Sequence, residues 1–138
     1  IWTIFLALTS FQNSNQTVTP DNIVGSYSTN FNDCCDYFSD QLIIKKNYQY
    51  KRKYSADSFT ASGSWTINGT WILKNDTLII SPKAVKKYKG YSVDCVHIKP
   101  DSIGCEFCRP DTLVYKDNGL WTNKGAEDKK MYKLYTKK

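Results

Sequence analysis

Between Phe59 and Leu73 the chain alternates with a period of two. Phe59, Ala61, Gly63, Trp65, Ile67, Gly69, Trp71 and Leu73 hold the odd positions, and polar residues hold the even ones, with Ile72 the single exception. Successive side chains of a strand leave opposite faces, so the pattern predicts one long strand with a single buried wall. Two places compete for its turn. Asn68-Gly69 is the favoured dipeptide of a two-residue hairpin. A reversal there, however, sets Trp65 opposite Ile72 and Thr66 opposite Trp71, which parts the two tryptophans onto different faces. A reversal at Asn75-Asp76 sets Leu73 opposite Leu78 and Trp71 opposite Ile80, and keeps Trp65, Ile67, Trp71 and Leu73 together. A slip of one residue would turn every side chain over, so the face pattern outweighs the dipeptide. Gly63 and Gly69 then mark bends of a coiled strand or points of close backbone approach.

Shorter strands surround this one. Ile23, Gly25 and Tyr27 alternate after Pro20-Asp21 and predict the first. A second centres on Leu42 and Ile44, and a third on Tyr48 and Tyr50, reaching toward Tyr54. A three-residue turn Lys45-Lys46-Asn47, with Asn47 left-handed, pairs Ile44 with Tyr48 and Leu42 with Tyr50 and points Lys51 and Lys53 outward. Pro82 is expected to end the ladder that returns through Leu78 and Ile80, leaving 83–90 as a basic connection closed by Gly90. Segment 91–98 predicts a strand with Val93, Cys95 and His97 on one face and Val96 and Ile98 on the other. Two Pro-Asp turns, at 99–103 and 109–113, each lead into an apolar strand start. Segment 112–122 predicts a hairpin with Asn118-Gly119 at its tip, and 130–137 a last strand that sets Tyr132 and Leu134 against Met131, Lys133 and Tyr135. No stretch carries the 3.6-residue apolar period of a long helix. The expected fold is therefore all-β, an antiparallel up-and-down meander of about nine or ten strands with little or no helix.

Two short motifs add a resemblance. Gly25-Ser26-Tyr27 stands where lipocalins carry Gly-x-Trp on their first strand, with Tyr27 in place of the tryptophan. Gly69-Thr70-Trp71 followed by Asn75-Asp76-Thr77-Leu78 resembles the central hairpin of small lipocalin-like domains from secreted bacterial proteins. The resemblance spans Asn22 to Lys137 in strand order. It implies that the meander closes, or nearly closes, into a barrel around a ligand cavity.

At 138 residues the chain is long enough for one core, so a single domain is expected over 20–138. The first ten residues, IWTIFLALTS, are too short and too quickly followed by polar residues to cross a bilayer. They read as the apolar part of a signal peptide cut near Ser10, which makes 1–19 a leader outside the fold and the protein secreted or periplasmic. No transmembrane span is expected.

Five cysteines, Cys34, Cys35, Cys95, Cys105 and Cys108, then become disulfide candidates: two bridges and one spare thiol, with Cys34 or Cys35 joined to Cys105 or Cys108 as the favoured pairing. A four-thiolate zinc site from Cys34, Cys35, Cys105 and Cys108 is the sharper alternative, but an adjacent pair departs from the usual ligand spacing of such sites. A redox Cys105-x-x-Cys108 lacks the helix such chemistry uses. His97 is the only histidine, and its one nearby nucleophile is Cys95, two residues away on the expected strand face. No phosphate loop or nucleophile elbow is present. The net charge of +6 is spread over lysines at hairpin tips and outer faces, where solubility and edge protection account for it without nucleic acid. No catalytic residue, cofactor or metal is therefore assigned. The leading expectation is a non-enzymatic binding module holding a small apolar ligand against Tyr27, Tyr48, Tyr50, Trp65, Trp71 and Trp121. The other is a filled barrel acting through its surface on a protein or glycan, and an empty interior volume above about 300 Å³ would separate them.

Overall fold

A computed structural model describes residues 17–32, 35–58, 62–122 and 132–137. A single helical turn α1 (Pro20–Ile23) precedes nine strands: β1 (Gly25–Asn32), β2 (Tyr37–Ile44), β3 (Gln49–Asp57), β4 (Ser62–Lys74), β5 (Thr77–Lys87), β6 (Ser92–Asp94), β7 (Asp111–Lys116), β8 (Gly119–Thr122) and β9 (Tyr132–Lys137). A 3-10 turn at Cys105–Cys108 separates β6 from β7. The expected leader up to residue 16, Cys34 and the start of the alternating segment at Phe59 and Ala61 lie outside the described residues.

Eight strands form an antiparallel ring, running β1, β2, β3, β4, β5, β7, β8, β9 and back to β1, with β6 beside it. The ring is nearly closed, and it is weakest in two places. Among the described residues, β1 meets β9 through Tyr27↔Lys137 and Ser28↔Thr136. β5 pairs with β7 through Thr77–Ile80 and then leaves it for β6 at Ala84–Lys86. The Cys105–Cys108 turn covers that seam, and Phe107 packs there against Trp65 and Tyr54 at centroid distances of 5.4 and 6.5 Å.

The long strand follows its pattern. Trp65, Ile67 and Trp71 are buried while Ser64, Asn68 and Thr70 are exposed, and the reversal falls at Asn75-Asp76 with Leu73 opposite Leu78 and Trp71 opposite Ile80. Asn75 takes the left-handed conformation, which its short polar side chain tolerates. Gly69 lies where β3 and β5 both press on the strand. A Cβ there would sit 2.2 Å from the Ser81 carbonyl oxygen and 2.6 Å from the Tyr50 ring. The ladder is interrupted at this point, with Gly69 opposite Pro82 and Asn68 opposite Ala84, so Lys83 is the extra residue of a bulge.

That bulge corrects the expected end of the ladder at Pro82. A proline cannot donate to a ladder, but at a bulge its missing N–H removes little, and β5 runs on through the basic segment to Lys87 with Val85 in the core. Four further boundaries differ. Ile23 belongs to α1, where Asn22 Oδ1 accepts hydrogen bonds from the Thr19 amide and hydroxyl, both at 2.9 Å, and Ile23 plugs the barrel end fully buried. The β2–β3 connection encloses two residues more than expected, and Tyr48 rather than Asn47 is left-handed, so Ile44 pairs with Tyr50. This slip of two residues leaves the faces unchanged. β6 stops at Asp94 because the Asp94 carboxylate accepts from the Val96 amide at 3.0 Å and bends the chain, so 95–97 is a turn and not strand. The last hairpin turns at Asp117-Asn118, both left-handed as a type I′ turn requires, one residue earlier than expected. Of the two Pro-Asp turns, only the second leads into a strand; the first leads to the 3-10 turn.

Candidate functional site

The barrel interior, where a ligand was expected, is built from residues whose alternation turns them inward. Tyr27 is fully buried and its hydroxyl donates to the Ile23 carbonyl at 2.5 Å. Trp71 is 1% exposed, and its indole N–H donates to the Lys45 carbonyl at 2.9 Å. Trp65 donates its indole N–H to the Tyr91 hydroxyl at 3.0 Å. Tyr50 lies over Gly69 in the space that the missing side chain leaves. Burial drives the Tyr27 and Tyr50 hydroxyls above the ordinary tyrosine value of 10.0; Tyr115 adds to it at Tyr27, while at Tyr50 the Arg52 charge opposes it and Asp111 reinforces it. These four rings meet Leu42, Ile44, Ile67, Leu78, Leu113 and Leu120 in one packed cluster.

Two of the six expected lining residues stand elsewhere. Tyr48 is 52% exposed in the β2–β3 turn, its ring against the edge of Trp71 at 4.9 Å. Its left-handed backbone takes it out of the strand. Trp121 pairs across with Val114, on the face opposite the buried Leu120, where Lys116 lies over its ring at 4.8 Å. Alternation with Leu113 and Leu120 already assigned Trp121 to the outside; its bulk alone had suggested otherwise.

Among the described residues, a small hollow reaches the core. At the β5–β7 seam, Tyr50, Arg52, Ile67, Ile80, Pro82, Glu106, Phe107, Arg109 and Asp111 surround about 170 Å³. Beside it lies a buried carboxylate that the sequence reading did not single out. Asp40 is 5% exposed and accepts from Arg52 Nε at 2.9 and 3.1 Å and from Arg52 Nη2 at 2.6 Å. The signal was available, since Asp40 shares the parity of Leu42 and Ile44, and Arg52 that of Tyr50. Larger grooves, of about 440 Å³ by the β7–β8 turn and about 320 Å³ under 97–103, open to solvent at the surface.

The cysteines also rearrange the expected chemistry. Cys95 and Cys108 form a disulfide that ties the seam-covering turn to the end of β6, and Cys105 is a half-buried free thiol. The favoured pairing of Cys34 or Cys35 with Cys105 or Cys108 is thereby corrected as far as Cys108 is concerned, because Cys108 bonds to Cys95; Cys34 lies outside the described residues. The bridge also takes Cys108 out of any four-thiolate site or Cys-x-x-Cys couple, and Cys95 out of a dyad with His97. The imidazole instead sits 2.7 Å from the Asp94 carboxylate, which it holds below the usual carboxylate range together with the Val96 amide.

The outer side of the same wall has a different character. Outward rows run Lys51, Asn68 and Ala84, then Lys53, Thr66 and Lys86 across β3, β4 and β5. Below them, Lys45, Gln49, Tyr50, Asn68, Gly69, Thr70 and Lys83 line a groove of about 300 Å³ at the bulge. The bulge opposite Gly69, which borders it, has no local sequence signature of a site. Comparison with protein-family models, curated proteins and solved structures returns no match.

Proposed function

We propose that this chain is a non-enzymatic, lipocalin-like interaction domain of bacterial type, exported from the cytoplasm, that works through the outer surface of a filled barrel. The observation that carries the reading is the packed interior. Tyr27, Tyr50 and Trp71 are at most 2% exposed, and the hollow that Tyr50 helps to line, about 170 Å³, is smaller than the roughly 300 Å³ at which small-molecule pockets begin. Small barrels of eight strands fill with side chains unless residues are trimmed, and here large rings occupy the axis. A disulfide between Cys95 and Cys108 fits an oxidising compartment. With Cys95 bridged, the sulfur nearest His97 in the chain is not available as a nucleophile.

Native mass spectrometry of protein purified from its host tests this. The expected mass is that of the mature polypeptide alone, with no retained molecule, once leader removal and disulfides are accounted for. A retained small apolar molecule, released when the protein unfolds, would return the function to the barrel interior.

A further inference from the structure

Resting on that surface reading, we infer that the outer face of β3, β4 and β5, with the groove at the bulge, binds a linear sulfated polysaccharide. The face concentrates cations, and its acids stand at the margins. Lys45, Lys51, Lys53, Lys83 and Lys86 stand on it or at its rim, and among the described residues none of them pairs with a carboxylate. The nearest acids are at its margins: Asp57 at the end of β3, and Asp94 in β6 opposite Ala84, the latter engaged by His97.

Sheet geometry gives these charges a repeat. Lys51 and Lys53 are two residues apart, about 7 Å along the strand, and Lys53 and Lys86 are two strand spacings apart, about 9.6 Å. An extended polyanion laid across the strands therefore meets Lys53 and Lys86 in one row, and one laid along β3 meets Lys51 and Lys53.

The groups between the lysines select the kind of polyanion. Thr66, Asn68, Thr70 and Gln49 offer hydroxyls and amides, which donate to and accept from sugar hydroxyls. A single-stranded nucleic acid would call for rings between the charges on which bases could stack. The outward positions of the two lysine rows carry none; the exposed Tyr48 sits in the turn beside Trp71, and the exposed Tyr88 lies past the end of β5 beside Ser64, outside both rows. An anionic bilayer would favour apolar side chains set among the lysines to insert below its headgroups. Ile72 is exposed on this wall but stands opposite Ile79, near the β4–β5 turn and beyond the lysine rows. Lysines are compact point charges that suit dispersed sulfates, while Arg52, the guanidinium nearest the face, is turned inward onto Asp40. The ladder is interrupted at Lys83, and the groove there gives one sulfate-bearing ring a recess between Lys45 and Lys83.

The test titrates a heparin-type sulfated hexasaccharide calorimetrically into the full chain at low and at raised salt. It uses K51A/K53A/K86A beside the equally charged control K89A/K99A/K116A, with tryptophan fluorescence checking that each is folded. The face variant is expected to lose at least roughly tenfold in affinity, the control to stay within about twofold, and salt to weaken the wild-type complex. Thr66→Glu, a single change at a half-buried outward position between Lys53 and Lys86, is expected to weaken binding, with tryptophan fluorescence again checking the fold. Equal losses in both triple variants, no binding of the hexasaccharide, or tighter binding of oligodeoxythymidine or phosphatidylserine vesicles would each overturn the assignment. The mass of the same sample keeps the two readings apart. A saccharide that fails to bind an empty barrel removes this site alone, whereas a small molecule retained inside removes the surface reading beneath it.

Discussion

Tyr27 and Tyr50 show what a hydroxyl costs in a packed barrel. Each ring fills space that no aliphatic side chain on the same strand would reach, and each must remain neutral to stay there. Burial raises both groups above the ordinary value of 10.0. The folded protein therefore holds those protons more tightly than the unfolded chain, so their contribution is complete below pH 10.0 and declines as pH rises beyond it toward the folded values. The thermal midpoint is expected to fall progressively above pH 10.0, and tyrosinate absorbance to show two of the ten tyrosines ionising only as the protein unfolds. Reversible ionisation of all ten in the folded state would mean that the two rings are wet. Asp40 poses the opposite problem, an anion inside, and the fold meets it with the bidentate Arg52 guanidinium, itself partly open to water. Such a pair fixes a register more than it adds stability, and here it holds β2 against β3 beside the seam.

At the scale of the strand, Gly69 is where three elements depend on one absent atom. Gly69→Ala places a methyl against a backbone carbonyl and a buried ring, neither of which can swing aside. Urea unfolding is expected to show a loss of about 1–3 kcal/mol. Gly90→Ala meets only the flexible Lys87 side chain and is expected to change stability by under about 0.5 kcal/mol. If the two substitutions cost the same, the close approach of β5 is not as described. The same strand marks what the sequence makes legible. Trp65, Ile67, Trp71, Leu73 and Leu78 declared their face and register, because a period of two is imposed by the backbone alone. Pro82 misled because a proline ends a ladder only where its N–H is wanted, and that depends on the opposing Gly69. Asp94 misled because a side chain substituted for the next ladder bond. The Cys95–Cys108 bridge and the lysine face both needed the partners of β5, which nothing within 83–95 announces.

For the whole molecule, closure is the decisive event, and it rests on the last strand. β9 pairs with β8 across Gly119–Thr122 and with β1 at Tyr27 and Ser28, joining residues more than a hundred positions apart. Lys137 reinforces the join by donating to the Asn22 carbonyl at 2.6 Å and lying over the rings of Tyr27 and Tyr115, each at 5.9 Å. Without β9 the ring has two open edges, at β1 and at β8, and the buried end around Ile23 and Tyr27 faces water. Pairings this distant reward the chain only after a long loop has been ordered, so they form late and carry much of the cooperativity. A chain ending at Thr122 is therefore expected to keep β-type circular dichroism from the local β2–β3–β4–β5 hairpins while losing the sharp urea transition. It should also associate through its exposed edges, as sedimentation would show. Lys137→Ala, which leaves the backbone ladder intact, is expected to shift the transition without broadening it. A monomeric truncated chain that unfolds as sharply as the full one would place the cooperative unit in the β2–β5 wall and make closure incidental to stability.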